Sequence, residues 1–375
     1  MKKKWWLAGM TCLLVHAGAH AQSSVTLYGA ADAGINFLSN TGGSHAWQFA
    51  DGAFQPNELG FRGIEDLGGG NRALFVLENG YHLGTGQLNQ GGALFGRQAY
   101  VGLGNSLGTL TFGIQYDFAL DFTALFNTSA YGSGYGVHLG NFDRQGGARL
   151  QNAVKFVSNA YHGLVVGAMY SFSNRAGDFH SGSAWSSGFS YTMGPFAAGG
   201  NYTRLNSPSG LGAIDPYAAM GVTSMLGQTV ATAGPNGTVT DLYSATPFPV
   251  ESQSIYGIGA SWTIDKLVFA GDFSDTVFKG FGRTSSLRVY EPGIRYLLSP
   301  ATTLIAAYQY STFEGHHWHE AALSAHYLLS KRTELYASVD WMRASEGVDA
   351  VIGYSFTPSS SRNQTATRIA MKHTW

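Results

Sequence analysis

Apolar and polar residues alternate along most of this chain, in short stretches separated by turn residues. Successive side chains of a β-strand point to opposite sides of the sheet, so a period of two predicts strands with one apolar and one polar face. The first stretch shows the pattern. Its apolar face carries Val25, Leu27, Ala31, Ala33, Ile35 and Phe37, and its polar face carries Thr26, Asp32 and Asn36.

Sixteen strands are predicted from this alternation, and no helix is needed to connect them. The strands cover residues 24–37, 57–66, 71–82, 96–104, 109–117, 149–158, 164–173, 187–194, 196–204, 253–264, 267–275, 287–298, 301–311, 318–328, 333–343 and 364–375. Connections after the even-numbered strands are short and contain the residues that favour tight turns. Connections after the odd-numbered strands are longer, and residues 118–148 and roughly 205–252 form the two longest.

A closed barrel in a membrane accounts for this order of strands, turns and loops. Backbone groups that cross hydrocarbon must be hydrogen-bonded within the protein, so a spanning sheet has no free edge. A tilted spanning strand needs about 9 to 11 residues. The predicted fold class is all-β, a transmembrane antiparallel β-barrel of 16 strands formed by residues 22–375 as one domain. Short turns would be periplasmic and long loops extracellular. A secreted β-sandwich is the alternative.

The first residues predict export. A basic run at residues 2–4 precedes an apolar run and an Ala-x-Ala site at residues 19–21, which is typical of a cleaved signal peptide covering residues 1–21. A retained membrane anchor is the alternative, although it needs about 20 apolar residues. Cys12 is the only cysteine and lies in this segment, so we expect a mature chain without disulfides.

Composition and charge agree with a barrel. The chain contains 51 Gly, 20 Tyr and 23 Phe but only 12% charged residues, and this mixture suits tilted strands with aromatic girdles at the membrane interfaces. Loss of the three signal-peptide lysines would leave 19 basic and 23 acidic residues, a net charge of −4. This balance does not predict nucleic-acid binding.

Four sequence runs stand out between the start of the predicted barrel and its last hairpin. They are SVTLYG at 24–29, GFRGIEDLGGG at 60–70, LFGRQAYVGL at 94–103 and LLSKRT at 328–333. Together with the aromatic Trp375, these runs resemble the trimeric general porins of Gram-negative outer membranes, specifically the beta-proteobacterial type. The resemblance implies a homotrimer in contact with outer-membrane lipid and lipopolysaccharide, which passes ions and small hydrophilic solutes and has no cofactor.

The resemblance also implies that the third extracellular loop, residues 118–148, folds inward and narrows the pore. In the family, acidic groups of this loop face basic side chains on the opposite wall. By position, the loop acids are Asp117, Asp121 and Asp143, and the basic wall consists of Arg62, Arg97, Arg149 and Lys155. Ile114 and Phe118 depart from the family pattern, which often has Arg and Pro at these positions.

The alternation tests whether the basic side chains face the pore. A lipid-facing Arg or Lys near the midplane costs about 2–4 kcal/mol. Arg62 lies between two outward-facing neighbours and Arg149 shares the parity of Lys155, so these side chains are expected inside. Arg97 has the parity of outward-facing Val101, so it faces the pore only if its strand is bulged or begins after it. The alternative is that these arginines are merely solvated residues of the lumen or pair locally with Glu65 and Asp66.

Two further signals have competing explanations. His316, His317, His319 and Glu320 suggest a metal site, and on a strand His317 and His319 could share one ligand set while His316 could not. A solvated loop end is the alternative, and we predict no metal. Trp375 resembles the C-terminal signal that the barrel-insertion machinery reads, and a plain interfacial tryptophan is the alternative.

The predicted function is passive diffusion without catalysis through a pore in the outer membrane. The net charge of −4 favours cations, whereas the arginine cluster favours anions, and we follow the local charge because the narrowest point controls passage. The alternatives are a substrate-specific channel, an outer-membrane barrel enzyme such as a lipid hydrolase, and a surface adhesin that uses the 205–252 loop.

Overall fold

The computed structural model describes residues 24–208, 214–234, 238–353 and 356–375. The expected signal peptide, residues 1–21, therefore lies outside the described residues. Within these ranges, no helix combines the length and the apolar character that a membrane span requires.

The described residues form an antiparallel sheet that closes on itself. Its strands are β1 (Ser24–Thr41), β2 (Ser44–Asp51), β3 (Glu58–Gly68), β4 (Asn71–Gly80), β5 (Gln98–Gly104), β6 (Gly108–Tyr116), β7 (Arg149–Ser158), β8 (Leu164–Ser171), β9 (Ala184–Met193), β10 (Phe196–Asn206), β15 (Ser252–Ile264), β16 (Leu267–Gly280), β17 (Arg283–Ser299), β18 (Thr302–Phe313), β19 (His316–Leu328), β20 (Thr333–Ala344) and β21 (Asn363–Thr374). The long connection between β10 and β15 contains the short strands β11 (Ser224–Met225), β12 (Gln228–Thr229), β13 (Ala231–Ala233) and β14 (Val239–Asp241).

The first and last strands pair and close the barrel. Their register runs from Ala30 opposite Thr374 to Leu38 opposite Ala366. On its other edge, β1 pairs with β3 near its start and with β2 near its end. Because β2 and β3 lie end to end, they count as one interrupted barrel strand. The barrel therefore has sixteen strands, which confirms the predicted fold class.

The predicted alternation is visible along β20. Leu335, Ala337 and Trp341 point outward and are exposed, whereas Tyr336 and Asp340 point inward and are buried. The outward set is apolar, as a surface in contact with lipid requires. Period two thus separates a lipid-facing side from a polar interior.

The hairpin of β1 and β2 was not predicted. The expected first strand ended at residue 37, but β1 continues to Thr41 and turns back through Gly42 and Gly43, which have φ of 62° and 105°. Most of β2 is exposed on both faces. With neither face buried, no clear alternation marks this strand in the sequence.

The long connections pack together at one end of the barrel. The β10–β15 connection contains helix α2 (Pro216–Met220), and its Met220, Met225 and Phe248 pack with Trp318 and Ile352 in one apolar cluster. The cluster also includes residues of the β6–β7 connection and of strand ends. These connections therefore form a packed layer over that end.

Candidate functional site

The β6–β7 segment, residues 117–148, begins on a surface of glycines. A Cβ atom on Gly167 would lie 2.3 Å from the Phe118 ring, and one on Gly259 would lie 2.6 Å from the Phe126 ring. Side chains at these positions would therefore push the segment away from the wall. We call Gly167, Gly188, Gly199 and Gly259, which belong to β8, β9, β10 and β15, the glycine floor.

Helix α1 (Thr128–Ser133) then carries the segment to strands β17–β20. The Asn127 side chain caps the helix by accepting from the Ala130 N–H at 2.8 Å. Ser133 Oγ donates to an Asp340 carboxylate oxygen at 2.7 Å, and the His326 ring lies 2.7 Å from the Gly132 carbonyl oxygen. Hydrogen bonds thus attach the segment to the interior face of the barrel wall.

A cavity of about 510 Å³ lies between the segment and the wall. Its lining includes Arg97, Tyr116 and Arg149 from the wall and Leu120 and Gly134 from the segment. The Arg97 and Arg149 guanidinium carbons lie 5.9 Å and 5.3 Å from the centre of the Tyr116 ring. The ring face is negative and attracts cations, so Tyr116 holds two guanidinium groups beside one opening.

Arg149 has an uncompensated charge at this cavity. It donates to the Tyr116 hydroxyl at 3.2 Å, and within the described ranges no carboxylate lies within ion-pair distance of it. The parity argument for Arg149 was wrong in detail. The register shifts between Gly113 and Gln115, with Asn152 at φ 51°, so parity does not carry across this point.

Arg97 lies in the interior because β5 begins at Gln98, directly after it. This is one of the two conditions under which an inward Arg97 was expected. Its guanidinium donates to Glu78 at 2.8 Å and to Glu58 at 2.7 Å. Two carboxylates therefore compensate the Arg97 charge, so its contribution to the cavity field is smaller than that of Arg149.

Arg62 lies on the wall beside this group. It is exposed, and its guanidinium carbon lies 5.4 Å from the centre of the Tyr28 ring. The Tyr28 hydroxyl in turn donates to Glu78 at 2.8 Å. Arg62 thus shares the interior face with Tyr28, as the alternation predicted.

None of the three predicted loop acids contacts the arginines of the cavity. Asp117 pairs with Arg144, Asp143 lies 2.5 Å from the His138 ring, and Lys155 Nζ lies 2.5 Å from an Asp121 oxygen. The expected opposition of loop acid and basic wall is present in the Asp121–Lys155 pair, whereas Asp117 and Asp143 contact Arg144 and His138 of their own segment. Burial raises the pKa of Asp121, although the adjacent Lys155 ammonium lowers it.

Other charged residues of the interior were not predicted. Arg295 on β17 lies 4.6 Å from the centre of the Tyr131 ring of helix α1, and its Nε has no hydrogen-bond partner among the described atoms. Asp272, Glu291, Glu320 and Asp340 are buried beneath the segment. The alternation predicts that charged strand residues face the interior, but the contacts of these residues are made with the β6–β7 segment, which is distant in sequence.

The structure also shows the positions of the histidine cluster on β19 and of the C-terminal Trp375. The rings of His317 and His319 are 5.4 Å apart, and His319 contacts the Tyr308 hydroxyl, whereas Glu320 is buried on the opposite face. The backbone N–H of Trp375 donates to the Gly29 carbonyl oxygen at 3.1 Å.

Comparisons with known proteins identify similar sequences among outer-membrane porins. The sequence profile of a family described as Gram-negative porin matches residues 9–347. An outer membrane porin protein of Bordetella pertussis is 32% identical over 233 residues, which are 55% of this chain and 60% of that protein. Outer membrane porin protein 32 of Delftia acidovorans is 24% identical over 388 residues, covering 100% of this chain and 99% of the relative.

Solved structures share the fold. An anion-selective porin from Comamonas acidovorans superposes with a TM-score of 0.72 at 18% identity, covering 94% of this chain and 100% of the other. The trimer form of OmpT from Vibrio cholerae gives a TM-score of 0.67 at 16% identity, covering 94% and 99%.

Proposed function

This chain belongs to the Gram-negative porin family, and from that premise we propose that it forms a water-filled channel through which ions and small hydrophilic solutes diffuse passively across the outer membrane. The sixteen-stranded barrel with an apolar exterior and a charged interior supports this proposal. Passage needs no covalent step and no energy coupling, so no catalytic group is assigned.

We infer a preference for anions. The observation that carries it is the Arg149 guanidinium, which lines the cavity without a carboxylate partner among the described residues. Arg62 adds positive charge to the same wall, whereas Glu58 and Glu78 compensate that of Arg97. Fixed charge at a constriction selects ions of the opposite sign. The anion-selective porin from Comamonas acidovorans has the same fold, which is consistent with this assignment.

We propose that the β6–β7 segment narrows the lumen and that the chain assembles as a homotrimer. Contacts of the segment with strands on several sides of the barrel support the first point, and the trimer form of the Vibrio cholerae structure supports the second. The exterior would contact outer-membrane lipid and lipopolysaccharide. Trp375, at the seam of the barrel, remains our candidate for the signal read by the insertion machinery.

Planar-bilayer recording of the purified protein tests this function. We expect stepwise currents in groups of three and a reversal potential in a KCl gradient that indicates anion preference. A barrel that conducts no ions but hydrolyses lipid would contradict the proposal. Saturation of the current by one solute would instead indicate the substrate-specific channel.

The anion preference is expected to increase as the pH falls. Because burial raises the pKa of Asp121, this carboxyl group should become neutral above the usual aspartate pKa of about 4. Its loss of charge leaves Lys155 uncompensated near the lumen. Reversal potentials measured from neutral to acidic pH should show the change, and Asp121→Asn should abolish that step and raise the anion preference at neutral pH. An unaltered pH profile in Asp121→Asn would contradict this role.

A further inference from the structure

Carboxyl groups are concentrated where the β6–β7 segment meets strands β16–β20. All of them are at least nine-tenths buried, and the His138 imidazole of the segment faces them. They are Asp143, Asp272, Glu291, Glu320 and Asp340. Buried carboxylates are costly unless they are paired or coordinate a cation. One imidazole cannot compensate the charge of several carboxylates, so a bound cation would stabilise this cluster.

Three ligand atoms converge at this place. His138 Nε2 lies 3.5 Å from Asp272 Oδ2 and 3.4 Å from Glu291 Oε2. The three side chains offer ligand atoms that all lie within 4.8 Å of one another. Zinc ligands lie about 2.1 Å from the ion, so two ligands at a tetrahedral angle are about 3.4 Å apart. The separations from His138 match this value.

Hydrogen bonds orient each of these ligands. His138 Nδ1 lies 2.5 Å from Asp143 Oδ2, so a proton on Nδ1 leaves the Nε2 lone pair directed at the two carboxylates. Gln145 Nε2 donates to Asp272 at 2.8 Å, and the Ser129 N–H donates to Glu291 at 2.8 Å. Metal-binding imidazoles and carboxylates are usually held by such outer contacts.

Several polar atoms at the same place lack partners. His138 Nε2, Asp272 Oδ1 and both carboxylate oxygens of Glu320 are buried and have no hydrogen-bond partner among the described atoms. Buried polar atoms are normally satisfied, so exceptions of this kind indicate a missing ion or water. A cation between His138 and the carboxylates would give His138 Nε2 a partner, and Asp272, whose Oδ2 is the oxygen 3.5 Å from that nitrogen, would be one of the ligands.

We propose that His138, Asp272 and Glu291 bind a divalent transition-metal ion of the Zn²⁺ class. The ion would join the β6–β7 segment, through His138, to β16 and β17 of the barrel wall. An imidazole ligand favours Zn²⁺ and similar ions over Ca²⁺ and Mg²⁺, which prefer sites made entirely of oxygen atoms. Asp143 is a positioning residue, since it holds the imidazole in the binding tautomer.

Metal content of the folded protein tests the site. The purified full chain in detergent is treated with a chelator, loaded with Zn²⁺ and passed through a desalting column. We expect one Zn²⁺ per chain in the wild type and none in His138→Gln. Asp143→Asn should weaken Zn²⁺ affinity by about 10- to 100-fold, which is typical for loss of an outer contact. Ca²⁺ at the same concentration should not compete. A wild-type chain that retains no Zn²⁺ would overturn the proposal.

A matched control separates this site from the exposed histidines. The double variant His317→Gln/His319→Gln should keep the bound Zn²⁺, and its loss there would overturn the proposal. If His138→Gln does not fold, X-ray absorption spectra of wild type loaded with Zn²⁺ decide the question. One imidazole nitrogen among oxygen ligands supports the site, whereas two or more imidazoles, or none, contradict it.

Discussion

Replacing Arg368 with methionine is expected to destabilise the barrel by about 3–5 kcal/mol, the usual cost of leaving one partner of a buried ion pair without the other. Arg368 is 1% exposed, on β21 next to the seam. It donates to Asp32 at 2.6 Å and to Asn36 at 2.9 Å, both on β1, and to the Tyr336 hydroxyl at 2.7 Å. Its loss leaves the fully buried Asp32 carboxylate without its cation.

The loss is measured by urea unfolding of the barrel refolded in detergent or lipid. Lys372→Met is a matched control, because Lys372 shares the strand and the face of Arg368 and pairs with Glu334 at 2.6 Å. Glu334 also contacts His326, and Lys372 is less buried than Arg368, so this change should cost less than Arg368→Met. Adding Asp32→Asn to Arg368→Met should recover part of the stability. Equal losses in Arg368→Met and Lys372→Met would contradict the role of Arg368.

Replacing Arg149 with glutamate is expected to abolish or reverse the anion preference. The interaction energy between a unit charge and an ion about 4 Å away is about 1 kcal/mol in water, and it is larger near a protein surface, where the effective dielectric constant is lower. Reversal of the charge therefore changes the balance by about 2 kcal/mol, which corresponds to a change of at least about tenfold in the ratio of anion to cation permeability. Reversal potentials in a KCl gradient measure this ratio.

Two variants show whether position or net charge matters for selectivity. Arg332→Glu makes the same change of charge in an exposed turn between β19 and β20, so it should leave the reversal potential unchanged. Arg62→Glu should shift it in the same direction as Arg149→Glu but by less, because Arg62 does not line the cavity. Equal shifts in Arg149→Glu and Arg332→Glu would show that Arg149 does not control passage.

The barrel could be predicted because lipid outside and water inside impose a period of two on each spanning strand. The pattern failed where this contrast is absent. Most of β2 is exposed on both faces, so residues 44–51 carry no clear alternation. The register shift opposite Asn152 likewise depends on backbone geometry, which side-chain polarity does not reveal.

The interior site was predicted only in part. Parity and resemblance gave Arg62, resemblance gave Arg149 although its parity argument failed, and the place of Arg97 depended on a strand that begins one residue after it. Neither parity nor resemblance predicted that Asp117 and Asp143 contact Arg144 and His138. The buried carboxylates of the wall were missed as well. Glu291, for example, accepts from the Ser129 N–H although 162 residues separate them, and such contacts form only when the segment packs against strands β17–β20.

In the proposed channel, the glycine floor has a consequence for pore width, because it sets how closely the β6–β7 segment packs against the wall. At Gly199, a Cβ atom would lie 2.2 Å from the Phe122 carbonyl oxygen, so even one methyl group would lift the backbone above it toward the opening. Related chains could therefore admit solutes of different width while keeping every charge in place. Size discrimination and charge discrimination would then change independently, one through the glycine positions of the wall and the other through the guanidinium groups of Arg62, Arg97 and Arg149.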